Sequence, residues 1–280
     1  MRAVRRLNVW NLEGVLGDWE RAFPRPLIDL SRCQAIDLFA VAFLVLYVRR
    51  CAEAGGKARI LLPEREDILH YLGEIGFFRW VGEEVWTDRP FPEGEIQGGG
   101  ALMAMARVVS EGEVQGLVDR ACDVLYERFP LGQRSIKVLA MSMLELLQNI
   151  SHHANPLGED LDPCGLAAVE EYEDHIHLVV MDKGVGLHRS LGLNPRYRDL
   201  KEKEALEAVL IQGASRFSDP GRGGALARIR QVIQANEGRL FVRSGGAAFW
   251  QAEVEWSVGE VYPFPGVQVS IQLPRALFFG

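Results

Sequence analysis

Glu145, Asn149 and His153 recur at every fourth residue in the stretch Leu144-Glu145-Leu146-Leu147-Gln148-Asn149-Ile150-Ser151-His152-His153-Ala154. On a helix that spacing gathers a carboxylate, a carboxamide and an imidazole into one polar stripe. Ile136, Met143, Leu147 and Ile150 fall on the opposite side and give the helix a face to bury. A carboxylate one turn from a carboxamide can poise a water molecule and hold a hard cation such as Mg²⁺ through oxygen. The plain alternative is a solvated helix face. Two further signals follow. Asp182-x-Gly184-x-Gly186 sets a carboxylate acceptor beside backbone that a ligand can approach closely, where the alternative is a tight turn. Gly221-Arg222-Gly223-Gly224-Ala225-Leu226 has glycines at the start of a helix, where free N–H groups and the positive dipole end suit phosphate oxygens. Lys183, Arg216 and above all Arg222, inside that loop, could add positive charge.

The elements that must position these residues can be read from periodicity. The stripe needs a long helix over residues 133–154, after a strand over 102–109 and a helix over 114–129. Strands over 165–172 and 175–181 are joined by the polar Glu173-Asp174 turn, and the second leads straight into Asp182. His175 and His177 alternate on one face of that strand and are expected to meet solvent. Residues 187–220 read as a long irregular lid with one helix over 202–212, since compact domains rarely keep such a connection without a use for it. A helix running to about Ala235 and strands over 238–245, 249–256 and 266–274 complete a mixed, largely antiparallel sheet covered by helices on one face.

Upstream, strands over 27–31 and 58–63 flank a helix over 36–54 that ends at Gly55-Gly56, the pattern of a right-handed β-α-β unit with parallel strands. A second short helix covers 67–75. Residues 87–100, rich in proline, glycine and charge, read as a linker. The expected organisation is an α/β chain of two domains, residues 1–95 with a linker to about 100 and residues 101–280.

In this order, the Glu145/Asn149 helix, the Asp182-x-Gly184-x-Gly186 turn, the lid, the glycine-rich helix start and the closing strand Gly266-x-x-x-Ser270-Ile271-x-Leu273-Pro274 resemble the GHKL (Bergerat-fold, histidine-kinase-like) ATP-binding domain, over residues 101–275. The resemblance implies an α/β sandwich, ATP and Mg²⁺ as cofactors, Glu145 as general base and Asn149 as metal ligand. It sets His153 near the phosphates, Asp182 on the adenine amino group with Gly184 and Gly186 beside the ring, Gly221, Gly223 and Gly224 around the phosphates, and Ser270 near adenine. One departure stands out: the usual G-x-G-L-G-L is Gly-Arg-Gly-Gly-Ala-Leu here. Residues 7–90 resemble a STAS domain, the small α/β module of anti-sigma-factor antagonists. Asp37-Leu38-Phe39-Ala40 replaces that family's Asp-Ser-Ser-Gly, so a phosphoserine switch is not expected and a docking or dimerising module is.

Composition narrows the classes. A 280-residue chain with 48% hydrophobic and 25% charged residues is expected to be soluble and globular. A formal charge of -7 argues against a broad nucleic-acid or acidic-membrane footprint. Cys33, Cys51, Cys122 and Cys164 lack metal-ligand spacing and read as reduced thiols. The apolar run over 38–48 is too short for a membrane span, and the basic N-terminus has no apolar stretch behind it, so a cytoplasmic location is expected. The leading expectation is a Mg²⁺-ATP-dependent regulatory protein with slow hydrolysis and a protein partner for its first domain. An anti-sigma-type serine/threonine kinase and a binding-only adaptor are the alternatives, and homodimerisation is left open. A histidine kinase ranks low, because His70 lacks the acidic neighbour that usually follows the phosphoacceptor.

Overall fold

The computed structural model describes residues 3–91, 101–108, 111–153, 164–217 and 224–279, with only the backbone for 152 and 153. The chain divides into two compact units, Met1–Met105 and Ala106–Gly280.

The first unit holds β1 (Arg6–Leu7), α1 (Glu13–Arg21), β2 (Leu27–Asp29), β3 (Ala35–Ile36), α2 (Leu38–Glu53), β4 (Ala58–Leu61), α3 (Glu66–Glu74), α4 (Phe77–Val81) and β5 (Val85–Thr87). β2, β4 and β5 form a parallel sheet in that order, and β1 pairs with β3 in a second parallel sheet. The expected strand-helix-strand unit is thus β2-α2-β4. The β1–β3 pair was not foreseen, because two-residue strands carry no periodicity to read, and α1 was not foreseen either. Every residue of α2 from Leu38 to Val48 is buried, which fits a helix apolar all round. Asp37 starts it: one carboxyl oxygen accepts from Ala40 N at 2.8 Å and the other from Val9 N at 3.1 Å. Burial pushes the Asp37 carboxyl up to about 6. Asp37, the first residue of the Asp37-Leu38-Phe39-Ala40 segment, is therefore a helix cap. Thr87, taken above as the start of a linker, belongs to β5, and residues 92–100 lie outside those described.

The division between the units falls within β6 (Ala101–Val108). The second unit continues with α5 (Glu111–Arg128), α6 (Gln133–His153), β7 (Gly165–Glu171), β8 (His175–Met181), α7 (Gly186–Leu191), α8 (Glu202–Ile211), α9 (Ala225–Ala235), β9 (Arg239–Ala252) and β10 (Glu255–Pro274). The sheet order is β6-β7-β8-β10-β9, with β7/β8, β8/β10 and β10/β9 antiparallel. α6 packs on β7 and β8, while α7, α8 and α9 pack on β9.

Two expectations are corrected here. The three C-terminal strands are two long ones joined at Glu253-Val254, with Glu253 at φ 53°. The glycines read as strand ends bend the ladder instead: Gly245 and Gly266 take φ of 59° and 84°, and the register shifts twice between Glu260 and Val267. The stretch after Asp182 is also less irregular than expected, since Gly186 opens α7. All four cysteines are free thiols, three of them buried.

Candidate functional site

An open cleft of about 790 Å³, including the part exposed to solvent, lies over the sheet face that carries Val180 and Val269. Leu146, Asn149 and Ile150 of α6 line it, with Leu187, Ser190 and Leu191 of α7, Val209 of α8 and Leu226 of α9. Its walls are thus mostly apolar, the character of a small-molecule site.

Asp182 supplies the carboxyl group in this cleft. It directly follows β8, and its position is set by β10: Asp182 N donates to Val267 O at 2.8 Å, and Gln268 Nε2 donates to Asp182 O at 2.8 Å. Gly266 is what lets the two segments approach, because a Cβ there would overlap the Asp182 carbonyl. Asp182 Oδ1 accepts from Gly184 N at 2.7 Å, closing a turn on itself. The residue is 4% exposed, and burial, only partly offset by these hydrogen bonds and by Lys183, pushes its carboxyl up to about 7. A ligand N–H donated to Asp182 would favour the ionised form. Gly186 lines the same cleft at φ 79°, and a Cβ there would meet Ser244 Oγ at 2.9 Å. Ser244 Oγ in turn accepts from Leu187 N at 2.8 Å and donates to Gly266 O at 3.0 Å, tying α7 to the β10 bend.

The structure brings Asn149, Asp182, Gly186 and Gly224 to this one cleft. Gly184 sits in the Asp182 turn. Glu145 stands one turn back from Asn149 beside the cleft, with its side chain 41% exposed and Oε2 3.9 Å from Arg228 Nη2 of α9. His153 ends α6, and its side chain lies outside the described residues, as do Gly221, Arg222 and Gly223. Gly224 caps α9 in the left-handed region at φ 71°. Ser270 does not line the cleft. Val269 does, and neighbours on a strand point to opposite faces, so Ser270 Oγ meets His177 Nε2 at 2.8 Å on the other side of the sheet. Lys183 is 2% exposed and Arg216 lines the cleft, where burial lowers the pKa of its guanidinium. Among the described residues no group of three or more His, Cys, Asp or Glu side chains could hold a metal ion.

Gln268, Ser244 and Arg228 were missed. Each acts through a partner distant in sequence, and only Arg228, three residues into a helix that begins with glycine, carried a local signal.

The face away from the cleft departs from expectation. His177 is fully buried, not solvated, and His175 stacks on Tyr172 at 4.6 Å while its Nδ1 lies 2.6 Å from Asp174 Oδ1. Strand alternation gives the face but not what covers it. Burial first, and the nearby His175 second, push the His177 imidazole down to about 3 from 6.5. The unfolded chain then takes up this proton more readily, so stability falls as pH drops below 6.5, by about 1.4 kcal/mol per pH unit. Asp182 and Asp37, with raised pKa values, act in the opposite sense: their contributions are present below 3.8 and lost as pH rises through about 7 and about 6. Urea midpoints of wild type and His177→Gln between pH 4 and 6.5 isolate the imidazole, and the difference between the two proteins should change with that slope.

No protein-family model matches the chain, and no curated protein matches it significantly. No described helix is long and apolar enough to cross a membrane.

Proposed function

We propose that the second unit binds Mg²⁺-ATP as a GHKL-type domain and that the whole chain is a nucleotide-gated regulatory protein with slow hydrolysis. The observation that carries this reading is the Asp182 carboxyl, held by the β10 bend in a mostly apolar cleft that Asn149 also lines. A purine needs such a combination of flat apolar walls and one buried acceptor for its exocyclic amine. The group fits the residues present: Asp182 would take the amino group, Leu187, Leu191 and Val209 would flank the ring, and Asn149 would face the metal. Mg²⁺ usually takes one or two protein ligands and completes its shell with phosphate oxygen and water, so a multi-carboxylate cage is not required. When bound, the metal would neutralise phosphate charge.

Glu145 is the residue assigned to water activation in this reading. Glu145→Gln should keep ATP affinity and lower phosphate release by at least about a hundredfold, the range of general base catalysis. The deciding experiment is a calorimetric titration of the full chain with ATP, with and without Mg²⁺, followed by product analysis. Saturable binding strengthened by Mg²⁺ is expected, and no ATP binding under either condition overturns the proposal. Free phosphate as product supports the ATPase. A labelled acceptor protein in cell extract would instead make it an anti-sigma-type kinase whose first unit docks the partner. A cytoplasmic setting is part of the proposal.

A further inference from the structure

β9 and β10 run on past the rest of their sheet. β8 pairs with β10 only over Gln268–Pro274, whereas β10 stays paired to β9 back to Glu255. From Glu255 to Glu260, and again at Phe264, the strand partners of β10 lie on β9, and among the described residues no strand pairs with its other edge there. In a regular antiparallel ladder alternate residues turn their N–H and C=O groups away from the partner, and those groups need hydrogen bonds.

The arm is exposed and its chemistry is one-sided. Val254, Trp256 and Tyr262 are 74%, 43% and 45% exposed, and Trp256 stacks on buried Phe249 at 5.8 Å, which holds the ring in place. Residues 244–274 contain no Lys or Arg, while Glu253, Glu255 and Glu260 all sit on the arm. Among the described residues none of these carboxylates takes part in an ion pair. The one cation at the base, Arg243, is fully buried and donates to Tyr262 O. Natural sheets blunt long edges with charge, proline or bulges, and here Pro263 and the register shifts fall at the inner end, which leaves the ladder regular over Glu255–Glu260.

We infer that the free edge of β10 over Glu255–Phe264 is a docking strand for an extended, basic segment of a partner protein, which adds to the sheet as a further strand. Main-chain hydrogen bonds would supply affinity, and Lys or Arg side chains on both faces of the added strand, near Glu255 on one face and Glu260 on the other, would supply choice of partner. A second copy of this chain fits poorly, because antiparallel pairing of two arms brings like charges together.

The test uses the full chain and a short synthetic lysine–valine peptide with lysines on both strand faces, with the peptide that has glutamate in place of lysine as control, by fluorescence anisotropy. The basic peptide should bind and the acidic one should not. Reversing Glu253, Glu255 and Glu260 to Lys should weaken binding at least about tenfold. The same reversal at exposed Glu64, Glu66 and Glu83 of the first unit should change it by less than about twofold. In unmodified protein, the amides of 255–264 should gain hydrogen-exchange protection when the basic peptide is added, a readout that does not depend on the variant folding. Equal weakening by both triple variants, absence of that protection, or a dimer in sedimentation that the arm variant dissolves would each overturn the inference.

Discussion

Asp182→Asn should abolish ATP binding and at the same time make the protein more stable. The amide keeps an oxygen to accept from Gly184 N, now at 2.7 Å, so the turn survives. What is lost is the anionic acceptor, and the amide's own N–H groups can face the donor. A hydrogen bond to a charged group contributes about 1.5–3 kcal/mol, so affinity should fall by at least about a hundredfold once that mismatch is added. The stability effect has the opposite sign. The Asp182 carboxyl sits at about 7 in the folded chain against 3.8 unfolded, so above pH 7 its ionised form opposes folding by about a few kcal/mol. A neutral isostere removes that penalty. Calorimetry should show lost binding while urea unfolding at pH 8 shows a higher midpoint. Equal ATP affinity in wild type and variant would sink the nucleotide reading. In wild type, ATP affinity should weaken about tenfold per pH unit below 7, as the carboxyl takes up its proton.

Gly266→Ala should have the largest effect on the fold of the second unit. At φ 84° an L side chain is strained by about 1–2 kcal/mol, and here its Cβ would also overlap the Asp182 carbonyl and lie within about 2.5 Å of Lys183 Cα. Neither is the free end of a flexible side chain, so the β10 bend must move away from the Asp182 turn. That movement breaks the Asp182 N to Val267 O and Gln268 Nε2 to Asp182 O bonds together. We expect a loss of at least about 3 kcal/mol, read as a lower urea midpoint, and loss of nucleotide binding in whatever remains folded. Gly112→Ala is the control, because a Cβ at that position meets nothing within 4 Å and should leave both readouts unchanged. A Gly266→Ala protein as stable as wild type would mean that the close approach does not hold Asp182 in place.

Much of the architecture was legible because it is encoded over short distances. The apolar period of 133–154 and the strand running into Asp182 depend on residues within a turn or two of one another, and both elements formed within a few positions of their expected bounds. Glycine was the ambiguous signal. Gly245 and Gly266 read as strand ends, yet they are points where a continuous strand bends, because a positive φ serves both purposes and only the partner strand decides between them.

The sequence by itself determined that Glu145 and Asn149 share a helix stripe, that Asp182 ends a strand, and that glycines follow it at alternate positions. The tertiary structure alone decided that Asn149, Asp182, Gly186 and Gly224 border one cleft. It also turned Ser270 away to meet His177, buried an imidazole expected in solvent, and left a long acidic strand edge in water. The physical reason is the same in each case. Hydrogen-bond and side-chain periodicity arise between near neighbours, whereas strand register, the face that is covered and the raised pKa of a carboxyl are set by segments tens of residues away.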